Sequence, residues 1–227
     1  MTVAAVITAA GSGSRLGAEV PKALVPIQGR ALVVWATDTV RQVADAIVVT
    51  APASHLDEFR AALPDVTVVA GGSTRQDSVA RGLAALPEGS SIVLIHDAAR
   101  AFQPASVMQT AIDAVRAGAD GAVPVVPVVD TLVEVGADNP ATASAPELGA
   151  TVDREGLRAV QTPQVLTVEA ALAAHSSGVT GATDDAQLAK AAGFTVVEVP
   201  GDERGFKVTR PLDVALAVHV AGLMEDA

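Results

Sequence analysis

Short runs of Val, Ile and Ala alternate with amphipathic stretches along most of this chain, and that alternation constrains its fold more than any other feature. Residues 3–9, 46–50, 66–70, 92–96 and 122–129 are apolar and rich in β-branched side chains. Runs of that length and texture are expected of strands buried on both faces. Between them, residues 31–43, 54–63, 75–86 and 104–117 carry helical periodicity, and Pro104 sits near a helix start, where its missing N–H costs little. Repeated βα units predict an α/β fold: a Rossmann-like, mostly parallel sheet flanked by helices. At 227 residues the chain is expected to form a single domain, 1–227.

The alternation lapses over residues 130–161. VVDTLVEV, an Ala- and Pro-rich stretch at 136–149, and TVDREGLRAV follow one another there, which reads as two extended segments joined by a loop, a hairpin or arm. Beyond it come helices near 168–175 and 184–192, a strand near 195–200 and a last helix after Pro211.

Composition removes several classes of function. The chain has no Cys, so disulfide scaffolds, thiolate catalysis and Cys-ligated zinc are excluded, and a cytoplasmic location is expected. Aromatic residues make up 2% and Tyr is absent, which weakens any reading as a stacking platform for single-stranded nucleic acid. Fifteen Lys and Arg stand against 26 Asp and Glu, a net charge of −11, the wrong sign for a nucleic-acid or anionic-membrane binder. No apolar run reaches the ~18 residues of a membrane span. Of the three lysines, Lys22, Lys190 and Lys207, two fall in motif-like stretches. Scarce cations beside Gly-rich turns in an acidic chain point to an anionic ligand.

In an open parallel sheet, ligands bind beyond the carboxyl ends of the strands. The first strand ends in AAGSGSRLG, followed by AEVPK to Lys22. Small residues admit a ligand close to the backbone, and successive N–H groups form an anion nest. The spacing matches neither the dinucleotide fingerprint nor a Walker A loop. Arg15 and Lys22 would face several negative oxygens. The third strand runs into AGGSTRQDSV, where Ser73 or Thr74 can cap a helix and the Ser78 hydroxyl can reach back to the loop. The fourth ends at Asp97, a natural metal or hydroxyl partner. His96 reads as a buried, hydrogen-bonded histidine, and His175 as an ordinary helical residue. Thr131, Arg154 and the GFKVTR stretch around Lys207 are weak signals singly.

Together these segments resemble the 2-C-methyl-D-erythritol 4-phosphate cytidylyltransferase family. VITAAGSGSRLG…PKAL, GGSTRQDSV, VLIHDAARAF, PVVDTLVEV, TVDREGLRAVQTPQ, ATDDA and FKVTRPLD occur in the family's order. Thr8 stands where Pro is common, a change expected to matter little if the backbone lines the site. Gly205 stands where a polar residue is frequent.

The resemblance implies transfer of CMP from CTP to methylerythritol phosphate with release of pyrophosphate, in the non-mevalonate isoprenoid pathway. It implies a homodimer whose arm embraces the second subunit. By resemblance, Arg15 and Lys22 stabilise the transition state, and Arg154 and Lys207 position the acceptor phosphate. Ala9, Ala10, Gly11, Gly13, Gly72 and Ser78 line the cytidine site. Arg100, Thr131 and Thr183 are supporting contacts, with Thr131 and Arg154 reaching the site from the partner subunit. Mg²⁺ bridges the triphosphate, with Asp97 the nearest carboxylate for metal or substrate. Two other readings use the same loops: a ribitol 5-phosphate cytidylyltransferase and a non-catalytic nucleotide-binding regulator.

Overall fold

The computed structural model describes residues 1–11, 20–136, 146–179 and 184–225. In chain order the elements are β1 (Thr2–Thr8), a small hairpin of β2 (Pro26–Ile27) and β3 (Arg30–Ala31), α1 (Leu32–Val40), β4 (Ala46–Ala51), α2 (Leu56–Ala62), β5 (Thr67–Ala70), α3 (Arg75–Ala84), β6 (Ser90–Asp97), α4 (Ala105–Arg116) and β7 (Gly121–Pro127). There follow β8 (Leu132–Val133), β9 (Thr151–Val152), β10 (Arg158–Val160), β11 (Gln164–Thr167), α5 (Val168–Ser176), α6 (Asp185–Ala191), β12 (Val196–Pro200) and α7 (Pro211–Glu225).

Eight strands form one sheet in the order β10-β7-β11-β6-β1-β4-β5, with β12 also on β7. The pairs β1–β4, β1–β6, β4–β5 and β7–β12 are parallel, while β10 and β11 run antiparallel to their neighbours. The expected α/β sheet flanked by helices is what the chain builds. Its two-sided burial is visible in β1, where Val3, Ala5 and Ile7 join α1, α2 and α4 on one face. Val6 points the other way, into a cluster with Val79 and Leu83 of α3, Ala171 of α5 and Leu188 of α6. Alternate side chains point to opposite faces of a strand, so a continuous apolar run serves two helical layers. A third cluster seats α7 on α1 through Trp35, Ala217 and Val220.

The arm is shorter than its sequence suggests. Of the described residues in this segment, β8 and β9 alone pair away from the main sheet, leaving Val135 at 98% and Leu148 at 84% exposure. Residues 158–160, expected to belong to the arm, form β10 against β7, and Gln161 is buried with its backbone N–H on the Pro124 carbonyl. Strand β11 lies between β6 and β7. Among the described residues no helix is long and apolar enough to cross a membrane.

Chain order places β1 between β4 on one side and β6 on the other. The chain runs outward through β4 and β5, then returns to β6. A crevice opens at the carboxyl ends of strands where such a reversal occurs.

Candidate active site

A cavity of about 440 Å³ occupies that crevice, reached by Ala9 and Gly11 after β1, Gly72 after β5 and Asp97 at the end of β6. Its volume lies in the range of small-molecule sites. Among the described residues three cations line it, Lys22, Arg75 and Lys207, against one carboxylate, Asp97. In a chain of net charge −11 this local positive excess selects for an anion.

The floor is made of closely packed backbone. Ala9 N–H donates to the Thr50 carbonyl at 2.8 Å, and Gly71 N–H to that of Ala51 at 2.8 Å, extending β1 and β5 past their sheet ends. A Cβ on Gly71 would lie 2.5 Å from that of Ala10, and one on Gly72 would lie 2.1 Å from that of Asp77. Space, not backbone dihedral, requires both glycines. Of the two expected cap candidates it is Thr74 that caps α3, in a reciprocal capping box with Asp77. Ser78, one turn into α3, is buried; its Oγ accepts the Gly72 N–H at 3.0 Å and donates to the Thr74 carbonyl at 2.9 Å. That hydroxyl fixes the loop's shape before any ligand arrives.

Lys22 opens a short 3-10 turn, Lys22–Leu24, held by Leu24 N–H on the Pro21 carbonyl at 2.8 Å and by Leu32 N–H on the Val25 carbonyl at 3.1 Å. Lys207 is held by its neighbours. Phe206 stacks on Phe102 with centroids 6.1 Å apart. Val208 is fully buried, and its N–H bonds the Ala99 carbonyl at 2.8 Å. With both flanking residues anchored, Lys207 reaches Asp97, Nζ to Oδ2 at 2.5 Å. Gly205 fits this corner because a Cβ there would meet Gln103 Oε1 at 2.0 Å.

Asp97 is the hub. Its Oδ1 accepts from Thr8 Oγ1 at 3.1 Å and from Arg75 Nε at 3.3 Å. Burial works to raise its pKa, but the Arg75 and Lys207 charges outweigh that and hold it well below the usual carboxylate range. The Thr8 side chain thus reaches Asp97, a contact the expectation of a backbone-lined site did not include. Behind Asp97, its own N–H donates to Thr162 Oγ1 at 3.1 Å, and Thr162 Oγ1 meets His96 Nδ1 at 3.0 Å. His96 Nε2 lies 3.2 Å from the Arg100 carbonyl. Burial pushes His96 down to about 4, as expected of a satisfied core histidine.

Asp97 is the one carboxylate that lines the cavity among the described residues, enough for a divalent ion only beside substrate phosphates. Both its oxygens already face cations, and among the described residues no cluster of three or more His, Asp or Glu could hold an ion. Arg100 donates to the Gly205 carbonyl at 2.6 Å and to that of Val160 at 3.1 Å. Its guanidinium thus ties β10 to the Lys207 segment. Thr131 is exposed, and Arg154, beside the arm, bonds the Val129 carbonyl; within one chain neither is among the residues lining the cavity. Gly13, Arg15 and Thr183 lie outside the described residues. Sequence reasoning missed Arg75, and with it Asp185 and His175 behind it: Arg75 Nη2 donates to Asp185 at 2.7 Å, and His175 Nε2 lies 3.0 Å from the same carboxylate.

Residues 3–222 match the family model of 2-C-methyl-D-erythritol 4-phosphate cytidylyltransferase, IspD. The chain belongs to the IspD family. It is 45% identical to the enzyme of that name from Streptomyces coelicolor, over 96% of this chain and 84% of the relative. It is 42% identical to that from Saccharopolyspora erythraea, over 97% and 99%. The crystal structure of the Thermus thermophilus enzyme is similar throughout, with a TM-score of 0.80 and 35% identity, covering 98% of this chain and all of that one. Membership of the IspD family makes this chain an enzyme, a nucleotidyltransferase, and sets aside the reading as a non-catalytic regulator.

Proposed function

We propose that this chain transfers CMP from CTP to 2-C-methyl-D-erythritol 4-phosphate, releasing pyrophosphate and forming 4-diphosphocytidyl-2-C-methyl-D-erythritol. One observation carries the reading to this chain's own residues: among the described residues three cations, Lys22, Arg75 and Lys207, line a cavity that holds one carboxylate, Asp97. The names of the relatives favour methylerythritol phosphate over ribitol 5-phosphate as acceptor.

An oxygen of the acceptor phosphate attacks the α-phosphorus of CTP in line. The new P–O bond forms as the bond to the β-phosphate breaks, and its electron pair leaves with pyrophosphate. A phosphate monoester is already anionic near neutral pH, so the step needs no strong general base. Positioning and charge stabilisation supply the acceleration.

Ala9, Ala10, Gly11 and Gly72 form the backbone wall for the nucleotide, with Ser78 holding Gly72 in place, and the same binding role is proposed for Gly13. Lys22 and Arg15 take the charge that builds at the α-phosphorus. Lys207 receives the acceptor phosphate. Arg154 and Thr131 approach that phosphate from the arm of a second copy, and Thr183 and Arg100 support it. A divalent ion, Mg²⁺, would be held mainly by the phosphates of CTP, with Asp97 the carboxylate that lines the same cavity. We place the reaction in the cytoplasm, where CTP is made.

The test is pyrophosphate release from CTP or ATP with each polyol phosphate. The reading requires release with CTP and methylerythritol phosphate. Equal rates with ATP, or faster release with ribitol 5-phosphate, contradict it.

A further inference from the structure

Four charged side chains, far apart in sequence, line up from the buried layer behind the sheet to the mouth of the cavity. Asp185, the first residue of α6, is fully buried and accepts from His175 Nε2 and from Arg75 Nη2. Arg75, the first residue of α3, turns its Nε to Asp97 Oδ1 at 3.3 Å. Asp97 Oδ2 takes Lys207 Nζ at 2.5 Å. The signs alternate along the row, so each member's hold on one neighbour depends on the other. One guanidinium has donors enough to bridge two carboxylates, in a rigid fork that a lysine lacks.

We propose that Arg75 is a positioning residue of the reaction: shared between Asp185 and Asp97, it sets how tightly Asp97 holds the Lys207 ammonium over the cavity. Asp97 divides its charge between two cations. Taking away Arg75 leaves a buried carboxylate paired with Lys207, and the ammonium is drawn down onto it, away from any phosphate. Neutralising Asp185 acts in the opposite sense. Arg75 then gives its whole charge to Asp97, and Lys207 is released. Coulomb interactions across 3 Å in a partly buried site are strong enough to move such a balance. The side chain of Asp185 is 1% exposed and that of Lys207 42%, so the row links a fixed inner anchor to a group that solvent and ligand can reach. The consequence for catalysis rests on the proposed role of Lys207 as the acceptor's partner. The electrostatic claim does not.

Lys207 can be read directly, because the chain has three lysines. Trace acetylation with acetic anhydride, followed by peptide mass spectrometry, gives the reactivity of Lys207 relative to the exposed Lys190. In Arg75→Ala, acetylation of Lys207 is expected to slow by about threefold or more, because an amine drawn onto the Asp97 carboxylate is withheld from the reagent. In Asp185→Asn it is expected to quicken. Collapse of the fold would free the lysine in both, so the opposite signs separate the proposal from a structural role. Unchanged reactivity in Arg75→Ala, or a shift of the same sign in both variants, overturns it. If Arg75→Ala does not fold, Arg75→Lys carries the same comparison with a smaller slowing.

A second arm reads function. In Arg75→Ala, KM for methylerythritol phosphate rises about tenfold, while the Kd of CTP, by equilibrium dialysis without acceptor, stays within about twofold. Parallel weakening of CTP binding overturns the positioning role. A wild-type protein that makes no product refutes the proposed activity, and the acetylation result still decides the role of Arg75.

Discussion

Gly71 lies so close to Ala10 that a Cβ on it would sit 2.5 Å from the alanine's own. The two residues follow different strands, β5 and β1, and their contact joins two loops that wall the cavity. Gly71→Ala must part these loops, and Ser78 Oγ, 2.9 Å from the same Cβ, must move with them. Overpacking of this kind costs about 1–3 kcal/mol. The expected outcome is a lower Tm and weaker CTP binding by equilibrium dialysis. Unaltered CTP affinity would show that the contact does not shape the nucleotide site.

Lys22→Ala tests the charge on the triphosphate. A donor that acts mainly in the transition state is worth roughly 10²–10³ in rate, so kcat should fall by that order while Tm changes little, since partly exposed ion pairs add little stability. Turnover within a few-fold of wild type removes Lys22 from the mechanism.

The alternation of strand and helix was legible because buried parallel strands need unbroken β-branched runs, and this chain supplies them at β1, β4, β6 and β7. Of β10 the extended form was legible but not its place in the main sheet, and β11 was not legible at all. They are three and four residues long, within or just beyond a segment whose other strands, β8 and β9, pair with each other, and antiparallel insertion leaves no periodic signature. At the site, glycines and lysines at strand ends stood out by type and place. Arg75 did not, although it sits inside a motif. Its partners Asp97 and Asp185 are 22 and 110 residues away, and ion pairs between remote elements have no spacing to read. His175 looked ordinary for the same reason: its meaning comes from α6 packing on α5.

His96 gives the fold a pH dependence. Burial holds it near 4 in the folded chain, against an ordinary histidine value of 6.5. Between those values the unfolded chain binds a proton that the folded chain refuses. Stability is therefore full above about pH 6.5 and declines as pH falls toward 4, by roughly 3 kcal/mol in all. Urea midpoints from pH 7.5 to 4 should follow this fall, and His96→Gln should flatten it. A wild-type midpoint independent of pH over that range contradicts the burial argument.

The arm bears on assembly. A two-stranded hairpin is marginal in water, and this one exposes Val135 and Leu148 almost completely. A second copy would cover it and bring Arg154 to the neighbouring cavity. Arg154→Ala mixed with Lys22→Ala, after subunit exchange, should then recover activity. About half the dimers are mixed and each holds one sound site, so recovery approaches about a quarter of wild type. Subunits that exchange without recovery place Arg154 in its own chain's site, or outside any site.

The central claim is attack by the acceptor's own phosphate oxygen on the α-phosphorus of CTP. The most direct measurement uses methylerythritol phosphate carrying ¹⁸O in its phosphate and follows the label by mass spectrometry. The account predicts that the cytidine diphosphate product keeps all of it, including the bridging oxygen, and that pyrophosphate carries none. Label in pyrophosphate, or a product whose bridging oxygen comes from CTP, contradicts it.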